Sequence, residues 1–458
     1  MTRDELVRAQ SVSLPEWVTR RKESGDLKGA QRAIDALLAD DALPRMVRAR
    51  LMVEKERLRR LPTQYPDSRE EAFRKLREKV PGLTEAEFDA CEDKGWFDWI
   101  MVEGEKRYFV RNTSLAIKRP ELSRRLAHPG TAENSWLDPM IRETKENGFC
   151  ARRIQLDGTM KMEEGAFTPG LYRAWLPFPA ACAQQTDIQL TDGKPDRIAP
   201  ADAPARTAYW EKQLDRWEDI HLGFAYTSRI LYADPMNRPA PAQPLYPAAG
   251  GVLPEDLEED PPFIRFTPFL RGLAEELAGD ETAPVRKAWK YYEFITTRVR
   301  YSYVRDYFQI DDLGEFCARD LKGDCGLQAL LFIALCRLSG IPARWQSGLS
   351  IDDDGPGCHD WAQFYLDGWG WLFADPSFGG SAWRAGAKER HHFYFGNIDP
   401  TRMVANRVFE AETDPVGQAL RLDPYDNQSG ELERDGAPLP FTGRELDTEW
   451  RTVSIEKQ

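Results

Sequence analysis

The sequence predicts an α+β fold. In its core a cysteine-bearing helix packs on an antiparallel sheet. A β-rich segment and an N-terminal helical region precede that core. Three observations predict this. The stretch Gly323 to Gly379 reads as a helix, a connector and a strand hairpin. Residues 150–235 carry strand composition, as in ARRIQL and LYRAWLPFP. Residues 26–61 carry apolar residues at helical spacing on either side of Pro44.

The core helix is justified first. Asp324 is placed as its N-cap. Leu327, Leu330, Leu331, Ala334, Leu335 and Leu338 recur at helical spacing. Gly340 and Pro342 supply the stop. Cys325 then falls in the first turn, where free N–H groups and the helix dipole favour a thiolate. Cys336 sits mid-helix among leucines and reads as core.

The hairpin is next. HDWAQFYL and WGWLFADP flank Asp367-Gly368, a strong short hairpin signal. One strand opens on His359 and the other closes on Asp375, so the turn brings them together. A two-residue loop would put the pair on opposite faces, because successive strand residues alternate. A three-residue loop, Leu366-Asp367-Gly368, would pair Tyr365 with Trp369 and set His359 opposite Asp375. The expected aromatic face then carries His359, Trp361, Gln363, Tyr365, Trp371, Phe373 and Asp375. Cys325, His359 and Asp375 are the residue types of a nucleophile, its base and the group that orients the base.

These residues carry a family resemblance. Cys325 opens a helix. Then come Arg337-Leu338-Ser339-Gly340-Ile341-Pro342-Ala343-Arg344, His359-Asp360-Trp361, Gly370-Trp371 and Asp375-Pro376. This order resembles the papain-like transglutaminase core of bacterial transglutaminase-like thiol hydrolases, over about residues 285–380. The resemblance implies catalytic roles for Cys325, His359 and Asp375. It also implies an upstream side chain completing the oxyanion hole, with Trp289, Tyr301 and Tyr303 as candidates. The run Trp175 to Pro179 resembles the β domain that precedes the core in bacterial members.

Composition narrows the function classes. The 458 residues are 41% hydrophobic and 30% charged, with net charge 62 − 75 = −13. That charge argues against nucleic acid or an anionic membrane as the main partner. Residues 1–130 hold 27 Lys+Arg against 23 Asp+Glu, and the remainder 35 against 52. The seven cysteines are scattered and form no C-x-x-C. A zinc site from Cys317, Cys325, Cys358 and His359 would match no standard spacing. No metal or other cofactor is expected. The first residues show no apolar signal core, and no run approaches a membrane span. A cytoplasmic location is expected.

Four domains are expected: a mainly helical one at 1–130 with a small hairpin, a β-rich one at 131–260, the catalytic core at 261–400, and an extension at 401–458. The helices and hairpin of the first resemble a winged-helix pattern. Its near-neutral charge points instead to packing on the core or gripping a protein partner. Thr84 and Glu87 read as a capping box. Residues 234–262, rich in Pro, Ala and Gly, read as a linker or long loop. Beyond the hairpin, Asn397, Asp399, Arg402 and Asn406, and the later run RLDPYDNQSGE, are polar. Arg402 and Asn397, with Trp361, are the expected substrate contacts. The expected activity is thioester-mediated cleavage of a peptide or carboxamide bond in a protein or peptide substrate. A non-enzymatic protein-binding scaffold on the same fold is the alternative.

Overall fold

A computed structural model describes residues 3–126, 137–163, 165–352, 355–418, 428–439 and 446–458. The chain forms two compact units, 1–133 with 302–311, and 134–301 with 312–458. The boundary expected near residue 130 lies outside the described residues, as do residues 421–427 of the polar run.

In the first unit, helices α1 (Leu27–Leu38) and α2 (Arg45–Gln64) bury one stripe each. Leu27, Ala30 and Ile34 meet Leu51, Leu58 and Leu61 in one cluster. Helices α3 (Arg69–Lys79) and α4 (Glu85–Asp93) both open on capping boxes, Ser68 with Glu71 and Thr84 with Glu87. Strands β1 (Trp99–Val102) and β2 (Glu105–Tyr108) follow, with Val102 opposite Glu105. The two-residue loop between them has positive φ at both positions, Glu103 and Gly104.

In the second unit the β-rich segment does not stand as a domain of its own. Strands β3 (Phe149–Met162), β4 (Gly170–Pro177), β5 (Gln185–Asp192), β6 (Thr207–Leu214) and β7 (Ile220–Leu231) divide between two antiparallel sheets. Ile154, Leu156 and Phe224 of one sheet share a cluster with Tyr172, Leu176 and Trp210 of the other. Leu349, Ile351, Met403 and Ala405 of the core join the same cluster.

The core begins with helices α5 (Pro268–Ala278) and α6 (Pro284–Arg298). Helix α7 (Cys325–Leu338) follows, its Asp324 side chain accepting from Leu327 N at 3.2 Å. It is buried on every side from Cys325 to Cys336, not on one stripe. The core sheet is made of β8 (Ala343–Asp352), β9 (Gly355–Leu366), β10 (Gly370–Ala374), β11 (Phe395–Gly396) and β12 (Arg402–Asn406). Its spatial order is β11-β10-β9-β8-β12, all antiparallel. Helix α8 (Pro376–Arg384) leaves from the end of β10. The C-terminal segment is part of the fold rather than an added layer. Strand β13 (Glu431–Arg434) pairs with β4, and β14 (Leu446–Lys457) pairs with β3.

The hairpin register differs from the expected one by two residues. Leu366 lies opposite Gly370 and Tyr365 opposite Trp371, so the loop is Asp367-Gly368-Trp369. The loop still holds an odd number of residues, so the faces keep their parity. His359, Trp361, Gln363, Phe373 and Asp375 share one face. The regular ladder ends at Ala362–Ala374, and Asp375 lies just past it. Phe364, on the other face, packs edge-on against Phe332 of α7 at 5.7 Å.

No helix among the described residues is long and apolar enough to cross a membrane.

Candidate active site

Each element delivers one side chain. Strand β9 delivers His359, which is 4% exposed. The end of β10 delivers Asp375, 0% exposed, where it caps α8 by accepting from Phe378 N at 2.8 Å. His359 Nε2 lies 2.8 Å from Asp375 Oδ2. A carboxylate can only accept, so Nε2 carries the hydrogen and Nδ1 keeps its lone pair. The imidazole packs against the rings of Phe378 at 4.5 Å and Trp361 at 6.1 Å. Burial pushes its pKa below the usual value, and nearby Arg402 pushes the same way, against the pull of Asp375.

Asp375 Oδ2 takes a second donor, Arg402 Nη2, at 2.9 Å. Burial is the largest influence on this carboxyl and opposes its ionisation. His359, Arg402 and the Phe378 N–H together outweigh it, so the pKa lies below the ordinary carboxylate value.

Helix α7 delivers Cys325 at its first residue. The thiol donates to Asp360 Oδ2 at 3.2 Å. The other Asp360 oxygen accepts from Gln428 Nε2. Among the described residues, no hydrogen bond joins Cys325 to His359. Asp360 and Phe364 of β9 both meet α7, at Cys325 and Phe332. The expectation of an acidified thiol is corrected here. Cys325 is buried, and burial does most to push its pKa up; the Asp360 and Asp324 carboxylates push the same way. Together they outweigh the Asp360 backbone N–H, which pulls the other way.

Residues 271–376, which hold Cys325, His359 and Asp375, match the family model described as the Transglutaminase-like superfamily. This part of the chain belongs to the transglutaminase-like superfamily. No curated protein matches the chain significantly. Among solved structures, a candidate cysteine protease from Cytophaga hutchinsonii is 15% identical, covering 68% of this chain and 90% of that one, with a TM-score of 0.39. The periplasmic domain of TgpA from Pseudomonas aeruginosa is 16% identical, covering 58% and 99%, with a TM-score of 0.28. At these scores neither likeness bears on mechanism.

The expected substrate contacts of the transglutaminase-like core turn inward, which corrects that expectation. Arg402 is 2% exposed and binds Asp399 through Nε at 2.9 Å and Nη2 at 2.6 Å. Asn397 exchanges hydrogen bonds with the backbone of Ala233 at 2.7 and 2.8 Å and donates to Phe393 O. Trp361 is 0% exposed, and its indole N–H donates to Gln346 Oε1 at 2.9 Å. Trp289 packs among Tyr292, His392 and Phe395. Tyr303 belongs to the first unit, with Arg111 and Lys118 over its ring.

The sequence reading missed Asp360 although it lies inside the His359-Asp360-Trp361 motif. Its signal was the strand alternation, which sets it on the face opposite His359. The backbone beside this site leaves little room. Gly348 pairs with His359 on one side and Val404 on the other. A Cβ there would sit 2.0 Å from the Met403 carbonyl oxygen. Gly348→Ala is expected to cost about 3 kcal/mol, the upper part of the overpacking range. A urea titration checks this, and an unshifted midpoint counts against this strand pairing.

Proposed function

We propose that the second unit is a thiol hydrolase that cleaves a peptide or carboxamide bond through an acyl-enzyme on Cys325. The observation that carries this is the buried His359–Asp375 hydrogen bond, with Nδ1 left as a base, in a superfamily segment whose helix opens on a cysteine. Cys325 must first leave Asp360, which β9 presents on the face opposite His359, and come within reach of His359 Nδ1, which takes its proton. The thiolate adds to the carbonyl carbon, forming the C–S bond. Backbone N–H groups in the first turn of α7 face the developing oxyanion. The C–N bond breaks as His359 returns its proton to the leaving amine. Water then adds to the thioester, losing a proton to His359. The C–S bond breaks and the thiol is restored. Hydrolysis needs no second substrate site, which favours water over an amine as acceptor. A protein or peptide is the proposed substrate, and the first unit is the proposed grip for a protein partner. The seven free cysteines suit a reducing compartment, so we place the protein in the cytoplasm.

The Cys325–Asp360 hydrogen bond favours one other reading, a binding scaffold whose cysteine stays protonated. Trapping separates the two. Incubation with a peptide library and mass spectrometry should find an acyl adduct on Cys325 that disappears in His359→Ala. No adduct, or an adduct that survives His359→Ala, overturns the hydrolase reading.

A further inference from the structure

The buried charges behind His359 form a chain. Asp375 Oδ2 is shared by His359 Nε2 at 2.8 Å and Arg402 Nη2 at 2.9 Å. Arg402 in turn binds Asp399, which also accepts from Tyr394 Oη at 3.1 Å and Thr401 Oγ1 at 2.6 Å. Asp375, Asp399 and Arg402 are each 2% exposed or less. The Arg402 guanidinium lies over the Phe378 ring at 4.2 Å, and that ring also walls in His359. A catalytic base oriented by a carboxylate needs only that carboxylate's acceptor oxygen. Here a cation shares the same oxygen, and a second carboxylate holds the cation in place. Placing three charges in the interior is costly unless each is matched.

We propose that Arg402 and Asp399 are positioning residues that act on the reaction through Asp375. Arg402 offsets part of the Asp375 charge and adds to the effect of burial, so His359 rests as a neutral base and accepts a proton only from Cys325 or water. Asp399 sets how much of Arg402 reaches Asp375. This rests on the reading of His359 as the base. The ionisable groups on the elements around the imidazole are Asp360 on its own strand, Asp324 and Cys325 at the start of α7, and Asp375 at the start of α8. Tyr292 of α6, Tyr394, Asp399 and Arg402 are further ones, and Cys358 and Tyr365 on the same strand, Cys336 of α7 and Arg384 of α8 lie on these elements too. Of these, Asp375 and Asp399 raise the proton affinity of His359, and Arg402 lowers it.

Opposite shifts test the idea. The His359 ring is followed by NMR titration of the full-length protein, with His359→Gln used to assign its signal. Asp399→Asn keeps the shape and removes a negative charge, and should lower the His359 midpoint. The double variant Arg402→Met with Asp399→Asn leaves Asp375 as the only charge of the three. It should raise the midpoint at least tenfold in proton affinity. If the double variant does not fold, the downward shift in Asp399→Asn decides. An unmoved His359 midpoint in the folded variants overturns the proposal and makes the array a brace. The readout is the histidine itself, so it holds or fails whether or not Cys325 is ever acylated.

Discussion

Asp375→Asn is expected to slow acetylation of Cys325 by 4-nitrophenyl acetate about 10³-fold at pH 7. Two orientations of the new amide are open. With its oxygen at the Oδ1 position, its NH₂ would face Arg402, donor against donor. With its oxygen at the Oδ2 position, His359 and Arg402 keep their acceptor, and only the Phe378 N–H cap is lost. The second is favoured, so the His359 tautomer survives. What disappears is the negative charge beside the imidazolium that forms when Cys325 gives up its proton. At about 4 Å and an effective dielectric of ~20, that charge is worth about 4 kcal/mol. The Arg402 cation remains close by and is no longer offset at that atom. Stability should fall by only about 1 kcal/mol for the lost cap. The Arg402–Asp399 pair left behind is balanced in charge. A loss of rate below tenfold, in a folded variant, would take Asp375 out of the mechanism.

The core helix was legible because its signals are local. Asp324 caps it, and Gly340 at positive φ ends it. The hairpin was legible only in its parity. Loops 366–368 and 367–369 both hold three residues and both place Gly368 at positive φ. Contacts with a distant loop go with the observed register. A Cβ on Gly368 would meet Ala240 at 2.8 Å, and one on Gly370 would meet Pro244 at 2.9 Å. No window of the hairpin sequence contains that information. Arg402 and Asn397 read as exposed because their neighbourhood is polar. Beside their near partners Asp399 and Phe393, each needs a distant one, Asp375 for Arg402 and the Ala233 backbone for Asn397, 27 or more residues away in sequence, and pairing is what makes burial tolerable. The β-rich segment looked separable for a similar reason. Two of its sheets are completed by strands β13 and β14, which return from beyond the core.

Asp360→Asn should act in the opposite direction and accelerate the thiol. Cys325 is buried and donates to Asp360 Oδ2, with Asp324 as a second nearby carboxylate. Burial and both charges hold the thiol pKa well above its usual value. Asparagine has nearly the same shape and can keep the contact with Gln428 by turning its oxygen toward that donor. It removes one full charge within hydrogen-bond distance of sulfur. A thiol pKa lower by one to two units is the expected result, which is about 10- to 100-fold faster alkylation by iodoacetamide between pH 6 and 8. The stability consequence has a definite sign. A thiol whose folded pKa is raised contributes stability below the unfolded value of about 8.5 and loses it as pH rises toward the folded pKa. Wild type should therefore lose stability above about pH 9, and Asp360→Asn should lose less, measured by urea titration at pH 7 and pH 10. The kinetic outcome also chooses between two bases. Faster alkylation leaves Asp360 as a cap that keeps the resting thiol protonated, with His359 as the base. Slower alkylation would mean that Asp360 itself takes the thiol proton, and His359 would lose its place as the base.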